Sequence, residues 1–308
     1  MRVLCLCTDV SVCKNDFSRI LGALVSVRGA DSGGEVALNT QERIFPAWSL
    51  LDQSALERLL GSAPAISVVD DAQAGIAEAP LIALIRLLIA RAIAEKGLCL
   101  TATGNLSRAD VGALFAELDW PGFDKETVLA LNKVLNEHDV FPVHIARIVA
   151  REGKLLRKHK GRFLATNRAK VLIGQGQEAA LFRVVFETLL WQINLAYFDH
   201  VAIEDWPQDH IGIVLWSLSV SAQNWMAPGA LMPICTLPCT SQPLNRWHTP
   251  EHAFEARVLR QLTWLGLMEA RRSIADHPFS PQEYRKTPAF DQMLRFDVSY
   301  SARFGSAH

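Results

Sequence analysis

A mainly α-helical protein is what this sequence predicts, and three observations carry that expectation. Half of the 308 residues are apolar and a fifth are charged, which is enough for a sizeable core. Apolar residues recur at helical spacing in most segments between Ser49 and Leu265. Residues that start or stop helices stand at the ends of those segments, among them Pro80 and Gly97, Ser107, Gly153, Thr166, Pro250 and Gly266. The length suggests about two domains.

In chain order, residues 1–80 are the least regular part, with turn signals at Gly29 to Gly34 and around Pro46 and Pro64. One amphipathic helix is expected from Ser49 to Leu60, with Leu50, Leu51, Leu56, Leu59 and Leu60 inward. A helix runs from Pro80 to Lys96 and is closed by Gly97; after the turn in "LTATGNLS", Ser107 caps another that reaches about Leu118. Helices over 125–137 and 143–152 follow, separated by "HDVFP" and ended by Gly153. "KLLRKHKGRFLAT" reads as a hairpin with Gly161 in its turn, and Thr166 caps a short helix from Asn167 to Ile173.

Helix, helix, basic two-stranded wing is the outline of a winged helix. After a long helix from Glu178 to Asp199, the outline recurs less clearly. Ile211 to Trp225 is a helix, "APGALMPIC" a short helix or turn, and the helix from Thr249 and Pro250 runs to Leu265. "LMEARRS" is then a strand, and "MLRFDVSY", beyond a loop of Pro and Ser, is its return strand. The expected architecture is tandem winged-helix-like units with small β-hairpin wings, joined by the long helix. Its divisions are an appended N-terminal region over 1–80, a first helical unit over 81–175, and a second over 176–308.

The stretches "LTATGNLSRADVGALF", "GKLLRKHKGRFLAT", "LFRVVFETLLWQINLAYFD" and "EARVLRQLTWLGLMEAR" stand in the same order in a family that this chain resembles. It is an uncharacterised bacterial protein family related to an open reading frame of an Ri plasmid. The resemblance spans roughly residues 80–272 and implies a helical fold with winged-helix-like parts. Many members also carry a separate plasmid-type β domain, which residues 1–80 do not resemble. The resemblance implies no activity.

Charge is unevenly spread. The formal net charge is −1, which excludes a uniformly basic protein, yet residues 151–170 hold eight Lys and Arg against one Glu. Such an island attracts polyanions that the net charge would not. On the helix over 143–152, His144, Arg147 and Arg151 share the face opposite the apolar one. Lys154, Arg157, Lys158, Lys160 and Arg162 follow on the hairpin. In a winged helix the second helix enters a major groove while the hairpin lies on the backbone. The expected function is therefore nucleic-acid binding, to double-stranded DNA, in a regulatory role. In that reading Lys158, Lys160 and Arg162 hold phosphates and Arg147 and Arg151 read the groove. The alternative is a protein-interaction scaffold that uses the same folds without nucleic acid.

A third class is a metal protein or an enzyme. Cys235, Cys239, His248 and His252 are two thiols and two imidazoles, a ligand set suited to zinc, although the eight-residue gap is shorter than the common finger spacing. Cys5, Cys7 and Cys13 are a looser cluster. Asp199, His200, Glu204, Asp205, Asp209 and His210 gather carboxylates and imidazoles in one interhelical loop without a positioned nucleophile. "GADSGGE" has Glu35 where a phosphate loop needs Lys, and no GxSxG or HExxH is present. The sequence therefore leans away from an enzyme. The longest apolar stretches are interrupted by Arg86 and Arg91, and by Arg183 and Glu187, so no membrane span is expected. The opening residues lack a secretory pattern, which points to a cytoplasmic protein with reduced thiols.

Overall fold

The computed structural model describes residues 45–61, 65–69, 75–199, 201, 203, 205–240, 248–273 and 281–298. The Cys5, Cys7 and Cys13 cluster, the Gly29 to Gly34 turn, His200 and Glu204 lie outside them.

Helix α1 is Gln53–Leu60, preceded by a 3-10 turn at Ala47–Leu50. The single helix expected from Ser49 is split because the Asp52 carboxylate accepts from the Ala55 amide at 2.7 Å and starts a new helix there. Strand β1 is Ile66–Val68. Helix α2, Pro80–Ala94, begins on proline and stops before Lys96 and Gly97, whose φ values are +52° and +114°. Leu81, Ile82, Ile85, Leu88 and Ile89 on α2 are all fully buried, because α2 packs on several later elements.

After β2, Leu98–Cys99, come α3, Arg108–Glu117, α4, Lys125–Leu131, and α5, Phe141–Glu152. The Ser107 hydroxyl caps α3 by accepting from the Asp110 amide at 3.2 Å, as expected. Helix α4 is shorter than the 125–137 helix read from the sequence. It has no buried residue, and the Asn132 side chain donates to the Val128 carbonyl at its end. Strands β3, Leu156–His159, and β4, Arg162–Ala165, form the hairpin, and the three-stranded antiparallel sheet has the order β2-β4-β3. Leu98 pairs with Phe163 and Leu156 with Ala165. Then come α6, Asn167–Leu172, and α7, Glu178–Glu187, which continues as a π turn over Thr188–Gln192.

The long helix expected to reach Asp199 ends at Ile193, which is extended. The Gln208 side chain takes the place of the next turn: its amide donates to the carbonyls of Leu190 and Ile193, and its oxygen accepts from the Leu195 amide at 2.9 Å.

In the C-terminal part, α8 is Ile211–Ser221, α9 Pro228–Cys235, α10 Pro250–Phe254 and α11 Arg260–Trp264, the last two joined by a π turn at Glu255–Leu259. Strands β5, Met268–Arg272, and β6, Gln282–Lys286, pair antiparallel, and α12, Pro288–Met293, leads into β7, Leu294–Phe296. Two expectations change here. The partner of β5 is β6, inside the stretch read as a loop, and the residues read as the return strand supply β7, which pairs with β1. The compact unit begins at Phe45, so the described residues between 45 and 80 are part of it rather than an appendage. The Trp48 indole, for example, donates to the Thr236 carbonyl at 3.0 Å.

The same local architecture occurs twice. The Leu155 amide donates to Ala150 and the Leu267 amide to Leu262, at 2.8 and 2.9 Å. The Thr166 amide donates to Leu155 and the Thr287 amide to Leu267, at 3.0 and 2.9 Å. Both threonine hydroxyls then donate to the preceding left-handed residue, Lys154 at 3.0 Å and Gly266 at 2.7 Å. Met226 bridges to Tyr284 in β6 as β2 pairs with β4, so helix, edge pairing, further helices and hairpin follow in both halves, with α4 an additional helix in the first.

Helix α1 crosses α8 at Gly212, where a Cβ would stand 2.2 Å from the Leu59 carbonyl oxygen. In an open helix Gly→Ala stabilises by about 1 kcal/mol. Here Gly212→Ala reverses the sign, because the obstacle is backbone, and costs about 1–3 kcal/mol of overpacking. Denaturant unfolding of the variant reads this, and an unchanged or raised midpoint would remove the close crossing.

Candidate nucleic-acid interface

The hairpin is tight because Lys160 and Gly161 both take positive φ, +44° and +72°. Two such residues form the turn whose twist matches paired strands. Each strand buries one large apolar residue, Leu156 in β3 and Phe163 in β4, while Arg157, Lys158, His159, Lys160 and Arg162 are exposed. Lys154, at the entry to the hairpin, is exposed as well. Among the described residues, Lys154, Arg157, Lys158 and Lys160 have no carboxylate partner. Arg162 is engaged in holding the fold, since its Nη1 donates to the carbonyls of Glu95 and Gly97, at 3.3 and 3.0 Å, closing the C-terminal end of α2.

Helix α5 departs from the expectation. Arg147, read as facing outward, is 6% exposed, and its Nε donates to Glu137 Oε1 at 2.6 Å. His144 Nδ1 lies 2.7 Å from the same oxygen, and its Nε2 lies 3.3 Å from the Tyr197 hydroxyl. Glu137 is 1% exposed and also accepts from the Leu106 amide at 2.6 Å. Burial pushes the Glu137 carboxyl up, but the His144 and Leu106 hydrogen bonds and the Arg147 charge outweigh it and hold the pKa below the ordinary carboxylate value. The face of α5 that would read a groove is thus turned onto Glu137 and covered by the 3-10 turn at Leu195–Phe198. Only Arg151 on α5 is exposed, and it pairs with Glu152. Sequence reasoning missed Glu137 because it read as the last residue of the 125–137 helix, ten residues from Arg147, whereas it opens a 3-10 turn, Glu137–Asp139.

The cysteine and histidine set is not assembled. Among the described residues no three His, Cys, Asp or Glu side chains form a group that could hold a metal. Cys235 is fully buried within Sγ–Oγ contact of Ser221, 3.4 Å away, and burial pushes its thiol up to about 12. A zinc ligand must be a thiolate, which this environment opposes. Cys239 is half-buried, while the His252 amide is engaged in the helix start at Thr249.

The described residues of the 199–210 loop are held structurally. Asp199 pairs with buried Arg257. His210 Nε2 accepts from the Leu237 amide at 3.1 Å, so its proton is on Nδ1, 2.5 Å from Asp209. Both imidazole nitrogens are occupied. No helix among the described residues is long and apolar enough to cross a membrane.

The model of the Y4jL N-terminal domain matches residues 77–179, from the entry of α2 to the first turn of α7. A protein of Sinorhizobium fredii (strain NBRC 101917 / NGR234) named "Uncharacterized protein y4jL" is 30% identical over 111 residues, 36% of this chain and 50% of that protein. The chain thus spans half the length of that curated relative. No solved structure matches. The matched segment contains the whole basic hairpin and the Glu137 cluster, and through it the chain is related to the uncharacterised Y4jL family.

Proposed function

We propose that the chain binds nucleic acid, preferentially a duplex, by laying the β3–β4 hairpin on the phosphodiester backbone. The observation that carries this reading is the set Lys154, Arg157, Lys158 and Lys160, exposed on and beside the hairpin and without carboxylate partners among the described residues. Element order and the β2-β4-β3 sheet support a winged-helix assignment for residues 80–165, and the repeated hydrogen bonds at Leu267 and Thr287 support a second such unit. The wing does the binding in this reading. With Arg147 and His144 engaged by Glu137, groove reading by α5 falls away, and the expected binding is sequence-tolerant. The second hairpin contributes little, because Arg271 pairs with Glu283 and Arg285 with Glu269.

The test is anisotropy of a labelled duplex at several salt concentrations, comparing the wild type with an Arg157→Glu, Lys158→Glu, Lys160→Glu variant. Arg162 is left in place because it closes α2. The three contacts removed account for about −2.7 in the slope of log affinity against log salt. The variant loses that slope and most of the affinity. Salt-insensitive binding, or wild-type binding by the variant, overturns the reading.

A second reading, as a protein-interaction module, is favoured by α4 and the residues after it, where Leu129, Leu131 and Val134 are 54%, 78% and 49% exposed. In that case duplex binding is absent at low salt.

A further inference from the structure

The hairpin forms one wall of a cleft of about 560 Å³ whose other walls are the C-terminal end of α2 and the start of α6. Its cationic lining is Lys96, Arg157 and Lys170, from three separate elements, and it contains no acidic residue. All three cations are exposed, and none has a carboxylate partner among the described residues. Their floor is apolar: Ile93 is 39% exposed, and Leu164 of β4 is half-buried. Asn167 adds a side-chain amide at the edge.

Like charges converging on one cleft repel each other, and a multivalent anion between them removes that repulsion and forms charge-assisted hydrogen bonds. Arg157 is suited to two phosphoryl oxygens at once, and the two lysines act as point charges. The volume falls within the range of small-molecule sites, about 300–1,000 Å³. An exposed isoleucine and a half-buried leucine beside the charges add a surface that an inorganic anion would leave wet.

We propose that this cleft binds a phosphorylated small molecule of nucleotide size, with its phosphoryl group between Lys96, Arg157 and Lys170 and its ring on Ile93 and Leu164. The proposal does not depend on duplex binding, since Lys158 and Lys160 at the hairpin tip do not line the cleft. Arg157 is shared, so a bound ligand would take one cation from the tip.

Calorimetric titration of the full chain with AMP, adenosine and inorganic phosphate tests it. AMP binds saturably, phosphate binds about tenfold more weakly or less, and adenosine gives no heat of binding. Lys170→Glu weakens AMP about tenfold or more, the scale of one charge-assisted bond. Lys96→Asn does the same while tolerating the left-handed φ of +52° at that position. A Lys158→Glu, Lys160→Glu variant binds AMP within about twofold of the wild type. Absence of AMP binding, phosphate binding as tight as AMP, or AMP affinity unchanged in both cleft variants overturns the proposal.

Discussion

Arg257→Ala destabilises the protein by about 3–5 kcal/mol, the range for removing one member of a buried ion pair. Arg257 is 1% exposed and uses its whole guanidinium. Nε and Nη2 donate to the two Asp199 oxygens at 2.6 and 3.1 Å, Nη1 donates to the carbonyls of Ile203 and Trp206, and Nη2 also reaches Val201. The π turn at Glu255–Leu259 carries this residue, so one helical position holds Asp199, Val201, Ile203 and Trp206. Alanine there leaves three carbonyls without these donors and a buried carboxylate with no cation, held among the described residues only by the Val201 amide at 2.8 Å. Asp199→Ala is as severe for the opposite reason, leaving a buried cation. The double variant Arg257→Met, Asp199→Leu is less destabilised than the two single changes added together, which denaturant unfolding measures as a coupling energy. Simple additivity would mean that the pair does not act as a unit.

The second large effect is at Glu137, and it carries a pH signature. Glu137→Ala leaves the Arg147 guanidinium buried and the Leu106 amide without its acceptor, at a cost of about 3–5 kcal/mol. Glu137→Gln keeps the shape and removes the charge, so it isolates the electrostatic part. The folded-state pKa of Glu137 lies below the ordinary value of 4.5. A carboxyl depressed on folding contributes stability that is fully present above its unfolded pKa and lost as pH falls through the folded one. Wild-type stability therefore drops more steeply below about pH 4.5 than that of Glu137→Gln, and the two curves converge in acid. Parallel curves from pH 7 to pH 3 would show that Glu137 does not titrate with folding.

Helix ends and the basic hairpin were legible in the sequence because their causes are local. Ser107, Thr166 and Thr249 each accept from an amide three residues on, and Lys160–Gly161 needs only two positive φ values. What depended on distant partners was not legible. Helical spacing puts Arg147 on one face with His144 and Arg151, but nothing local indicates that Glu137 would cover that face. The break at Ile193 depends on Gln208, fifteen residues later. Strand β6, "QEYRK", carries a single large apolar residue, Tyr284, and so lacks the alternation that marks a strand. For the site, the island of charge was visible, while the cleft was not, because Lys96 beside Gly97 reads as the cation that ordinarily ends a helix.

The pairing of β1 with β7 has a mechanical consequence. The two strands run antiparallel with Ile66 opposite Phe296 and Val68 opposite Leu294, and the outer ends continue through Ala65 and Asp297, which are themselves hydrogen-bonded at 2.9 Å. Tension applied to the chain on either side of this ladder pulls on the same end of it. The bonds then break one after another, as in a zipper, instead of sharing the load as they would in shear. The ladder joins residues more than two hundred positions apart, and tension that reaches Ala65 and Asp297 opens it from that one end.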